Sequence, residues 1–350
     1  MFDLSSYNTF NLHVSAREGI EIKCTEDLLA LDLPLSEPYI ILGGGSDVLF
    51  TEDFDGLVLI NRILGIDVQK VELSPSTVPL NELDQAELFY EVRVGGGVVL
   101  DDLIVGLLQH GICGLENLSL IPGTVGAAPI QNIGAYGVEI GDFISSLETI
   151  NLRTGEKRIF THDECQFGYR YSIFKEPEFR SFFITHVNLR LSNSFVPQQN
   201  YAGLQSNEFK DAFAMRDRVI SLRNEKLPNP KYVGNAGSFF KNPYVSKETV
   251  EKLQDAYEGK VPCYLLEDGN YKLAAGWLID KAQCRGLRHG QVGTWGKQAL
   301  VIVNLGNAKP HEVVALARYV SAEVKSKFGI DLVPEVRLYG KHGELAWDQI

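Results

Sequence analysis

The sequence predicts a globular protein of two or three domains that contains both helices and strands, and three observations support this. The chain of 350 residues suffices for several domains that each bury a sizeable core. Short apolar, β-branched runs bounded by glycine turns are typical of strands. Runs whose apolar residues recur every three or four positions are typical of helices, and both kinds of run occur along the chain. Hydrophobic residues make up 45% and charged residues 22% of the chain, as in ordinary globular proteins.

Charge and cysteine usage restrict the partners and the compartment. The net charge of −12 disfavours a nucleic-acid or anionic-membrane surface, because either would need a basic face. Residues 1–17 lack the basic start and apolar core of a secretory signal, which predicts a cytoplasmic protein. The five cysteines form no C-x-x-C pair, as expected for reduced thiols. His162 and Cys165 form a close His/Cys pair, for which an ordinary structural role is favoured over a metal site.

The first informative element is a glycine turn between two apolar runs. Residues 38–42 are apolar and β-branched, residues 43–47 contain three consecutive glycines, and residues 48–50 are apolar again. This pattern predicts a strand, a tight turn and a continuation of the strand. Val48 occupies the third glycine position of a dinucleotide fingerprint, so a Rossmann fold is not favoured. From the residues alone, the turn is either a plain β-turn, which we favour, or a main-chain nest around a pyrophosphate.

Strand, helix and loop patterns then follow in order. The strand patterns cover residues 57–60, 90–94, 145–151, 182–191 and 299–303. The helix patterns cover residues 100–108, 273–279 and 310–328. The polar segments, which predict loops or domain boundaries, cover residues 73–85 and 192–208. The first helix has Asp101 and Asp102 in its first turn and Gly111 just past its end, and the last begins at Pro310 and stops at Gly329.

Residues 120–137, called here the glycine-rich loop, form the stretch around which the chain is organised. The glycine-rich loop has four glycines, two prolines and no charge, within an uncharged run bounded by Glu116 and Glu139. A transmembrane helix is excluded, because the prolines, the glycines and polar residues such as Gln131 would break it. Small residues permit close approach of the main chain to a ligand and expose N–H groups that bind anions. We therefore predict that this backbone wraps around a phosphate-bearing cofactor.

Three isolated polar residues are the candidates for chemistry: Arg170, Ser238 and Glu335. Each lies in apolar or glycine-rich surroundings. Taken singly, each has an ordinary explanation: a surface ion pair, a turn cap and the end of an edge strand. The short sequence motifs around these three residues, called here sequence words, favour a functional role over these ordinary explanations. In chain order these words are Ile-Pro-Gly-Thr-Val-Gly (121–126), Gln-Asn-Ile-Gly-Ala-Tyr-Gly (131–137), Gly-Tyr-Arg-Tyr-Ser (168–172), Gly-Asn-Ala-Gly-Ser-Phe-Phe-Lys-Asn-Pro (234–243) and Pro-Glu-Val-Arg (334–337).

Together these words resemble the UDP-N-acetylenolpyruvoylglucosamine reductase family, commonly called MurB. The resemblance covers nearly the whole chain, from residues 8–10 to Glu335. It implies an FAD-binding fold of the vanillyl-alcohol-oxidase type, made of two subdomains, plus a C-terminal α+β substrate-binding domain. The Tyr264 region and the chain length resemble the longer subclass, which carries a tyrosine loop over the substrate.

The resemblance also implies domain limits and site residues. FAD-binding subdomain 1 is expected over residues 1–72, with residues 336–350 returning to it, subdomain 2 over residues 73–218, and the substrate-binding domain over residues 219–335. The implied FAD-binding residues are Gly43, Gly44, Gly45, Ser46, Asp47, Pro122, Gly123, Thr124, Gly126, Ala127, Gln131, Asn132, Gly134, Ala135, Tyr136 and Gly137. The implied substrate-binding residues are Tyr169, Tyr201, Lys226, Asn242, Tyr264, Lys272, Arg285 and Gln298.

One position departs from the family pattern. The family usually has asparagine where this chain has Asp47. A carboxylate beside a pyrophosphate would be repelled. Asp47 is therefore expected to turn toward backbone N–H groups.

The implied reaction is the NADPH-dependent reduction of UDP-N-acetylglucosamine enolpyruvate to UDP-N-acetylmuramate, a step of peptidoglycan precursor synthesis. FAD carries the hydride from NADPH to the enolpyruvyl double bond. Arg170 and Glu335 are expected to stabilise the enolate-like intermediate, Arg170 with a planar fork of donors. Ser238 is expected to donate the proton to the substrate carbon. The implied protein is a monomer of the cytoplasm that serves cell-wall growth, cell shape and cell division.

Two other functions remain as alternatives. An oxidase of the same fold would act on a small alcohol with oxygen as the acceptor. Such enzymes often tether their flavin through histidine or cysteine, and neither residues 43–47 nor the glycine-rich loop contains one, so FAD is expected to be non-covalent. A nucleotide-sugar sensor without turnover is disfavoured because Arg170, Ser238 and Glu335 are all present.

Overall fold

The computed structural model describes residues 1–36, 38–71, 88–201, 203–205, 208–257, 261–266 and 268–350. The predicted loop at residues 73–85 lies outside these ranges. The chain divides into two compact units. Unit 1 comprises residues 1–17, 45–56 and 224–350, and unit 2 comprises residues 18–44 and 57–223. The predicted limits at residues 72, 218 and 335 stay a prediction.

The described chain contains both helices and strands, as expected for an α+β protein. The helices are α1 (Thr25–Leu29), α2 (Leu100–Gln109), α3 (His162–Cys165), α4 (Ala212–Lys226), α5 (Lys247–Ala256), α6 (Ala275–Lys281) and α7 (Pro310–Phe328). The strands are β1 (Phe2–Asp3), β2 (Ser15–Ile22), β3 (Tyr39–Leu42), β4 (Val48–Phe50), β5 (Phe54–Asn61), β6 (Ile66–Val71), β7 (Phe89–Gly95), β8 (Gly134–Ala135), β9 (Val138–Glu139), β10 (Ile144–Asn151), β11 (Lys157–Thr161), β12 (Phe182–Ser192), β13 (Gly234–Ser238), β14 (Tyr244–Val245), β15 (Cys263–Leu265), β16 (Tyr271–Leu273), β17 (Arg288–His289), β18 (Val292–Trp295), β19 (Gln298–Asn304), β20 (Arg337–Gly340) and β21 (Gly343–Leu345).

In unit 1, helices α6 and α7 pack on an antiparallel sheet of strand order β13-β19-β18-β17. Helix α7 forms as predicted, because its apolar residues recur at helical spacing and are buried: Val313, Leu316, Ala317, Val320 and Val324. Pro310 begins the helix, and Gly329, at φ 70°, ends it in the left-handed conformation. The predicted strand over residues 299–303 is confirmed as β19, which is buried in the core of this unit.

Residues 48–50 differ from their prediction as a continuation of the preceding strand. Strand β3 pairs in parallel with β5, whereas β4 pairs in parallel with β20 in a separate three-stranded sheet. The reason is the turn at Gly45, whose φ of 63° redirects the chain. A side chain there would lie 1.9 Å from the carbonyl oxygen of Tyr7, so only glycine fits.

In unit 2, five antiparallel strands form a sheet of order β11-β10-β12-β7-β6. The alternation predicted for residues 182–191 is confirmed, because Val187 and Leu189 are fully buried whereas Arg190 is exposed. Helix α2 supplies the rest of this core with five buried residues, as predicted: Leu100, Leu103, Ile104, Leu107 and Leu108. In the described residues no helix is long and apolar enough to cross a membrane.

Five of the described helices depart from the sequence prediction: α6 begins later than predicted, and α1, α3, α4 and α5 were not predicted. The helix predicted from residue 273 begins at Ala275, because Leu273 still belongs to β16. Helix α4 was not predicted. Met215, Val219 and Leu222 have helical spacing and are buried, so the signal was present. The many charged residues between them, including the buried Arg216, conceal that pattern.

Candidate active site

In unit 2 the turn at Gly43 and Gly44 lies against the glycine-rich loop. A Cβ atom on Gly44 would lie 2.9 Å from the Cα atom of Gly123, and one on Gly43 would lie 2.5 Å from Oγ1 of Thr124. Two predicted cofactor-binding segments are therefore brought together. Their backbones approach so closely that no side chain fits between them.

Two side chains that the sequence analysis did not single out hold the glycine-rich loop. Oδ1 of Asp101 accepts a hydrogen bond from the backbone N–H of Leu120 at 2.8 Å. Asp101 also forms a two-bond ion pair with Arg216 of α4, at 2.6 and 2.9 Å. The Nδ2 group of Asn117 donates to the carbonyl oxygen of Tyr136 at 2.9 Å. Leu120 and Tyr136 have φ of 58° and 51°, so these bonds support backbone conformations that are rare for non-glycine residues.

The ion pair sets the charge state of Asp101. Burial alone would raise the pKa of Asp101, but hydrogen bonds from Arg216 and from Leu120 N–H hold it below its ordinary value. The carboxylate therefore remains charged and keeps both partners. No signal at Asp101 alone could have revealed this, because Arg216 lies 115 residues further along the chain.

The glycine-rich loop also carries polar atoms that fit a cofactor. Oγ1 of Thr124 and Oε1 of Gln131 are buried and have no hydrogen-bond partner within the described protein. Buried polar atoms normally find a partner. A phosphate would accept from the Thr124 hydroxyl, and Gln131 Oε1 would accept from a ligand N–H or hydroxyl group. These residues therefore fit the predicted FAD.

Arg170 lies at a tight turn next to the glycine-rich loop. Gly168 and Tyr171 exchange two backbone hydrogen bonds, of 3.1 and 3.0 Å, and Arg170 between them has a φ of 52°. Its guanidinium Nη2 donates to the carbonyl oxygen of Gly134 at 2.8 Å. The same group lies 5.2 Å from the ring centroid of Tyr169. Of the predicted site residues, Arg170, Tyr169 and Gly134 are thus brought together.

Two predicted tyrosines also meet in unit 2. The rings of Tyr136 and Tyr201 are 5.2 Å apart at an interplanar angle of 75°. This edge-to-face arrangement is one that aromatic pairs prefer. A predicted cofactor residue and a predicted substrate residue are therefore in contact.

In unit 1 a backbone hydrogen bond joins Glu335 to the residue that follows Ser238. Ser238 is the last residue of β13, where the register with β19 shifts. The carbonyl oxygen of Phe239 accepts from the backbone N–H of Glu335 at 2.8 Å. Phe239 and Phe240 are buried and anchor this segment, and both predicted catalytic side chains remain half-buried.

Two predicted substrate residues, Asn242 and Gln298, lie at the start of α6. Oδ1 of Asn242 accepts from the backbone N–H of Ala275 at 3.0 Å. A Cβ atom on Gly276 would lie 2.8 Å from Oε1 of Gln298. Helix α6 therefore brings together two residues that are 56 positions apart in the sequence.

Three other predicted substrate residues lie near α6. Lys272, in β16, pairs across the sheet with Tyr264 in β15, and its Nζ is 5.7 Å from the Tyr264 ring centroid. Arg285, just past α6, pairs with Asp280 at 2.9 Å. Lys226 is exposed at the end of α4, and none of these contacts includes it.

Asp47 lies in a charged setting in unit 1. Its carbonyl oxygen accepts from the backbone N–H of Arg337 at 3.1 Å. Burial alone would lower the pKa of Arg337, but Tyr339, Glu344 and Asp47 together raise it. The charge of Asp47 therefore acts on the half-buried guanidinium of Arg337. Across the described ranges, no group of three histidine, cysteine or acidic residues could hold a metal ion.

Comparisons with known proteins identify both parts of the chain. Residues 35–160 match the family model "FAD binding domain", and residues 229–339 match "UDP-N-acetylenolpyruvoylglucosamine reductase, C-terminal domain". UDP-N-acetylenolpyruvoylglucosamine reductase from Pectobacterium atrosepticum is 42% identical over 99% of this chain and 97% of its own length. The enzyme of the same name from Bacteroides fragilis is 42% identical over 96% of this chain and 98% of its own length.

A solved structure has the same fold. The crystal structure of UDP-N-acetylenolpyruvylglucosamine reductase (MurB) from Thermus caldophilus covers 96% of this chain and 97% of its own, with a TM-score of 0.62 and 23% identity. At that identity the likeness shows the fold alone. The predicted fold class, an FAD-binding fold followed by a C-terminal α+β domain, is confirmed.

Proposed function

The chain belongs to the UDP-N-acetylenolpyruvoylglucosamine reductase family, and on that premise we propose how its residues carry out the reaction. The protein is an FAD-dependent oxidoreductase of peptidoglycan precursor synthesis. It reduces UDP-N-acetylglucosamine enolpyruvate to UDP-N-acetylmuramate with NADPH as the hydride donor. The observation that carries this conclusion is 42% identity over 99% of the chain.

The proposed cofactor-binding residues are those of the turn at residues 43–47 and of the glycine-rich loop. Bound FAD supplies the hydride chemistry, taking hydride from NADPH and giving it to the enolpyruvyl group. The close approach of Gly44 to Gly123 and the unpartnered oxygens of Thr124 and Gln131 support this assignment. Backbone N–H groups of such segments suit a pyrophosphate.

Arg170 is the residue that meets the charge developing on the substrate. Its hydrogen bond to the carbonyl oxygen of Gly134 fixes the plane of the guanidinium. A guanidinium presents a rigid fork of donors that matches a carboxylate. Stabilisation by such a preorganised group is usually the largest single contribution to catalysis.

Ser238 donates the proton to the substrate carbon, and Glu335 supports the same intermediate. The hydrogen bond between Glu335 N–H and the carbonyl oxygen of Phe239 supports this pairing, because it fixes the spacing of the two residues. A hydroxyl group is a weak acid, but a carbanionic carbon is basic enough to take its proton.

A further set of residues is proposed to bind the substrate sugar nucleotide. The residues proposed for this role are Tyr169, Tyr201, Lys226, Asn242, Tyr264, Lys272, Arg285 and Gln298. The grouping of Asn242 and Gln298 at the start of α6, and of Lys272 with Tyr264, supports it. The proposal retains FAD-binding subdomains over residues 1–72, with 336–350, and 73–218, and a substrate-binding domain over 219–335.

The proposal extends to the setting of the enzyme. It acts as a cytoplasmic monomer without nucleic-acid or membrane partners and serves cell shape and cell division. Five free cysteines support a reducing compartment. The net charge of −12 supports the absence of nucleic-acid and anionic-membrane partners.

The colour of the purified protein tests the proposed function. We expect a yellow protein that bleaches with NADPH under anaerobic conditions and recovers its colour when UDP-N-acetylglucosamine enolpyruvate is added. Recovery in air at the same rate without the sugar nucleotide would instead indicate an alcohol oxidase. A colourless protein that does not bind FAD would indicate a sensor.

A further inference from the structure

The side-chain amide of Asn132 makes three hydrogen bonds within the protein. Asn132 is 2% exposed. Its Oδ1 accepts from the backbone N–H of Gly141 at 2.8 Å. Its Nδ2 donates to Oε2 of Glu139 at 2.6 Å and to the carbonyl oxygen of Gly168 at 3.1 Å. An amide nitrogen has two hydrogens, so this side chain has no further hydrogen to donate to a cofactor.

The bond to Gly168 fixes the turn that carries Arg170. Gly168 and Tyr171 close the turn through their backbones, and Arg170 lies between them at φ 52°. A non-glycine residue keeps this rare conformation only where the surroundings impose it. The Asn132 amide supplies one such restraint at the first residue of the turn.

The bond to Glu139 fixes the other end of the Arg170 side chain. Gly134 of β8 pairs with Glu139 of β9, and the carbonyl oxygen of Gly134 accepts from the guanidinium of Arg170 at 2.8 Å. The contacts thus form a closed ring, which runs from Asn132 through Gly168, Arg170, Gly134 and Glu139 back to Asn132. This ring of contacts restrains both the backbone and the guanidinium of Arg170.

We propose that Asn132 and Glu139 are positioning residues, which hold Arg170 in the orientation needed for turnover, and that the Asn132 side chain is not a ligand of FAD. The inference rests on the proposed role of Arg170. It predicts a defect confined to the half-reaction in which the sugar nucleotide is reduced. The role proposed for Arg170 concerns only the reduction of the sugar nucleotide, so transfer of hydride from NADPH to the enzyme should proceed normally.

The substitution Asn132→Asp tests this arrangement with little change of shape. It removes both donated hydrogen bonds and sets a second carboxyl group against Glu139, and adjacent carboxylates repel each other. At pH 8 we expect kcat to fall at least tenfold, while FAD content and the rate of anaerobic bleaching by NADPH stay within twofold of the native protein. The control is Asn151→Asp, because Asn151 uses Oδ1 as an acceptor from Arg153 N–H, a role a carboxylate keeps.

A pH profile and a rescue distinguish positioning from general damage. A carboxyl group paired with another carboxyl group takes up a proton more readily, and the protonated form can again donate a hydrogen bond. The activity of Asn132→Asp relative to the native protein should therefore rise as pH falls from 8 to 5.5. The double variant Asn132→Asp, Glu139→Gln removes the repulsion and should recover part of kcat at pH 8. The absence of both effects would overturn the proposal.

Other outcomes are also decisive. Full turnover in Asn132→Asp, or loss of FAD and of bleaching by NADPH, would overturn the positioning role, the latter in favour of direct cofactor binding. Should Asn132→Asp fail to fold, Glu139→Ala must show the same confined defect, and normal turnover in it would overturn the proposal. Failure of the native protein to reduce the sugar nucleotide would instead overturn the proposed function, so the two failures are distinguishable.

Discussion

The backbone N–H of Glu335 donates to the carbonyl oxygen of Phe239, the residue directly after Ser238, at 2.8 Å. This bond joins two sequence words that are almost a hundred positions apart. The backbone, and not the two side chains, therefore sets the distance between Ser238 and Glu335. Substitution of either side chain should therefore test its chemistry with little disturbance of the other.

Ser238→Ala removes the proposed proton donor. We expect kcat to fall by roughly 10²–10⁴, the usual contribution of a positioned acid. FAD content and bleaching by NADPH should be unchanged, because neither requires the hydroxyl. Anaerobic single-turnover experiments that follow product and colour measure both steps. Product formation at the native rate would contradict the assignment.

Arg170→Lys keeps the positive charge but removes the planar fork. Lysine is a point charge and cannot replace two parallel hydrogen bonds. We expect kcat to fall by roughly 10²-fold, in the range for loss of one preorganised stabilising donor. Arg190→Lys, at an exposed position of the same unit, is the control. Steady-state kinetics of both variants would show whether the loss is specific, and an equal effect in the control would contradict it.

Gly44→Ala tests the close approach of the two cofactor segments. Its Cβ would lie 2.9 Å from the backbone of Gly123, so the segments must separate. We expect loss of most bound FAD, measured by absorbance at equal protein concentration. Gly106→Ala is a matched control, because Gly106 lies in α2 with nothing within 4 Å of the added atom. That change should keep FAD and stabilise the protein by up to about 1 kcal/mol.

Asp101→Asn tests the ion pair that supports the glycine-rich loop. Removal of the charge leaves Arg216 buried without its counterion, which should lower the free energy of unfolding by about 3 kcal/mol at pH 7. Because the pKa of Asp101 is lowered in the folded state, the native pair stabilises above the ordinary value of 3.8 and loses this effect as pH falls below it. Urea unfolding should therefore show a large difference between the two proteins at pH 7 and a smaller one near pH 3. An equal difference at both would contradict the ionic explanation.

Local sequence patterns predicted the elements whose cause is local. Helix α7 has its proline start, its apolar spacing and its glycine end in one continuous segment, so all three signals agree. Helix α4 was missed because Arg216, a charged residue, takes a buried position that only Asp101 explains. The burial of that charge depends on a partner elsewhere in the chain.

The site itself could be predicted only as a set of residues. The sequence words around Arg170, Ser238 and Glu335 indicated the family, and the comparisons with known proteins identify the same family. The contacts that hold each of these residues within its own unit were not visible in the sequence. The Asn132 amide reaches Gly168 across 36 positions, and no local pattern encodes such a distance. The family resemblance implied that Asn132 binds FAD, whereas the hydrogen bonds of its side chain favour the positioning role proposed above.

The parallel pairing of β4 with β20 has a consequence for synthesis in the cell. Thr51, which follows β4, bonds to Tyr339 of β20, 288 residues further along the chain. At ribosomal speeds the gap between them is roughly 15 to 60 seconds. During that time the apolar Val48–Phe50 segment has no strand to cover its edge. Until translation reaches β20, this edge of the nascent chain is therefore open to pairing with other chains.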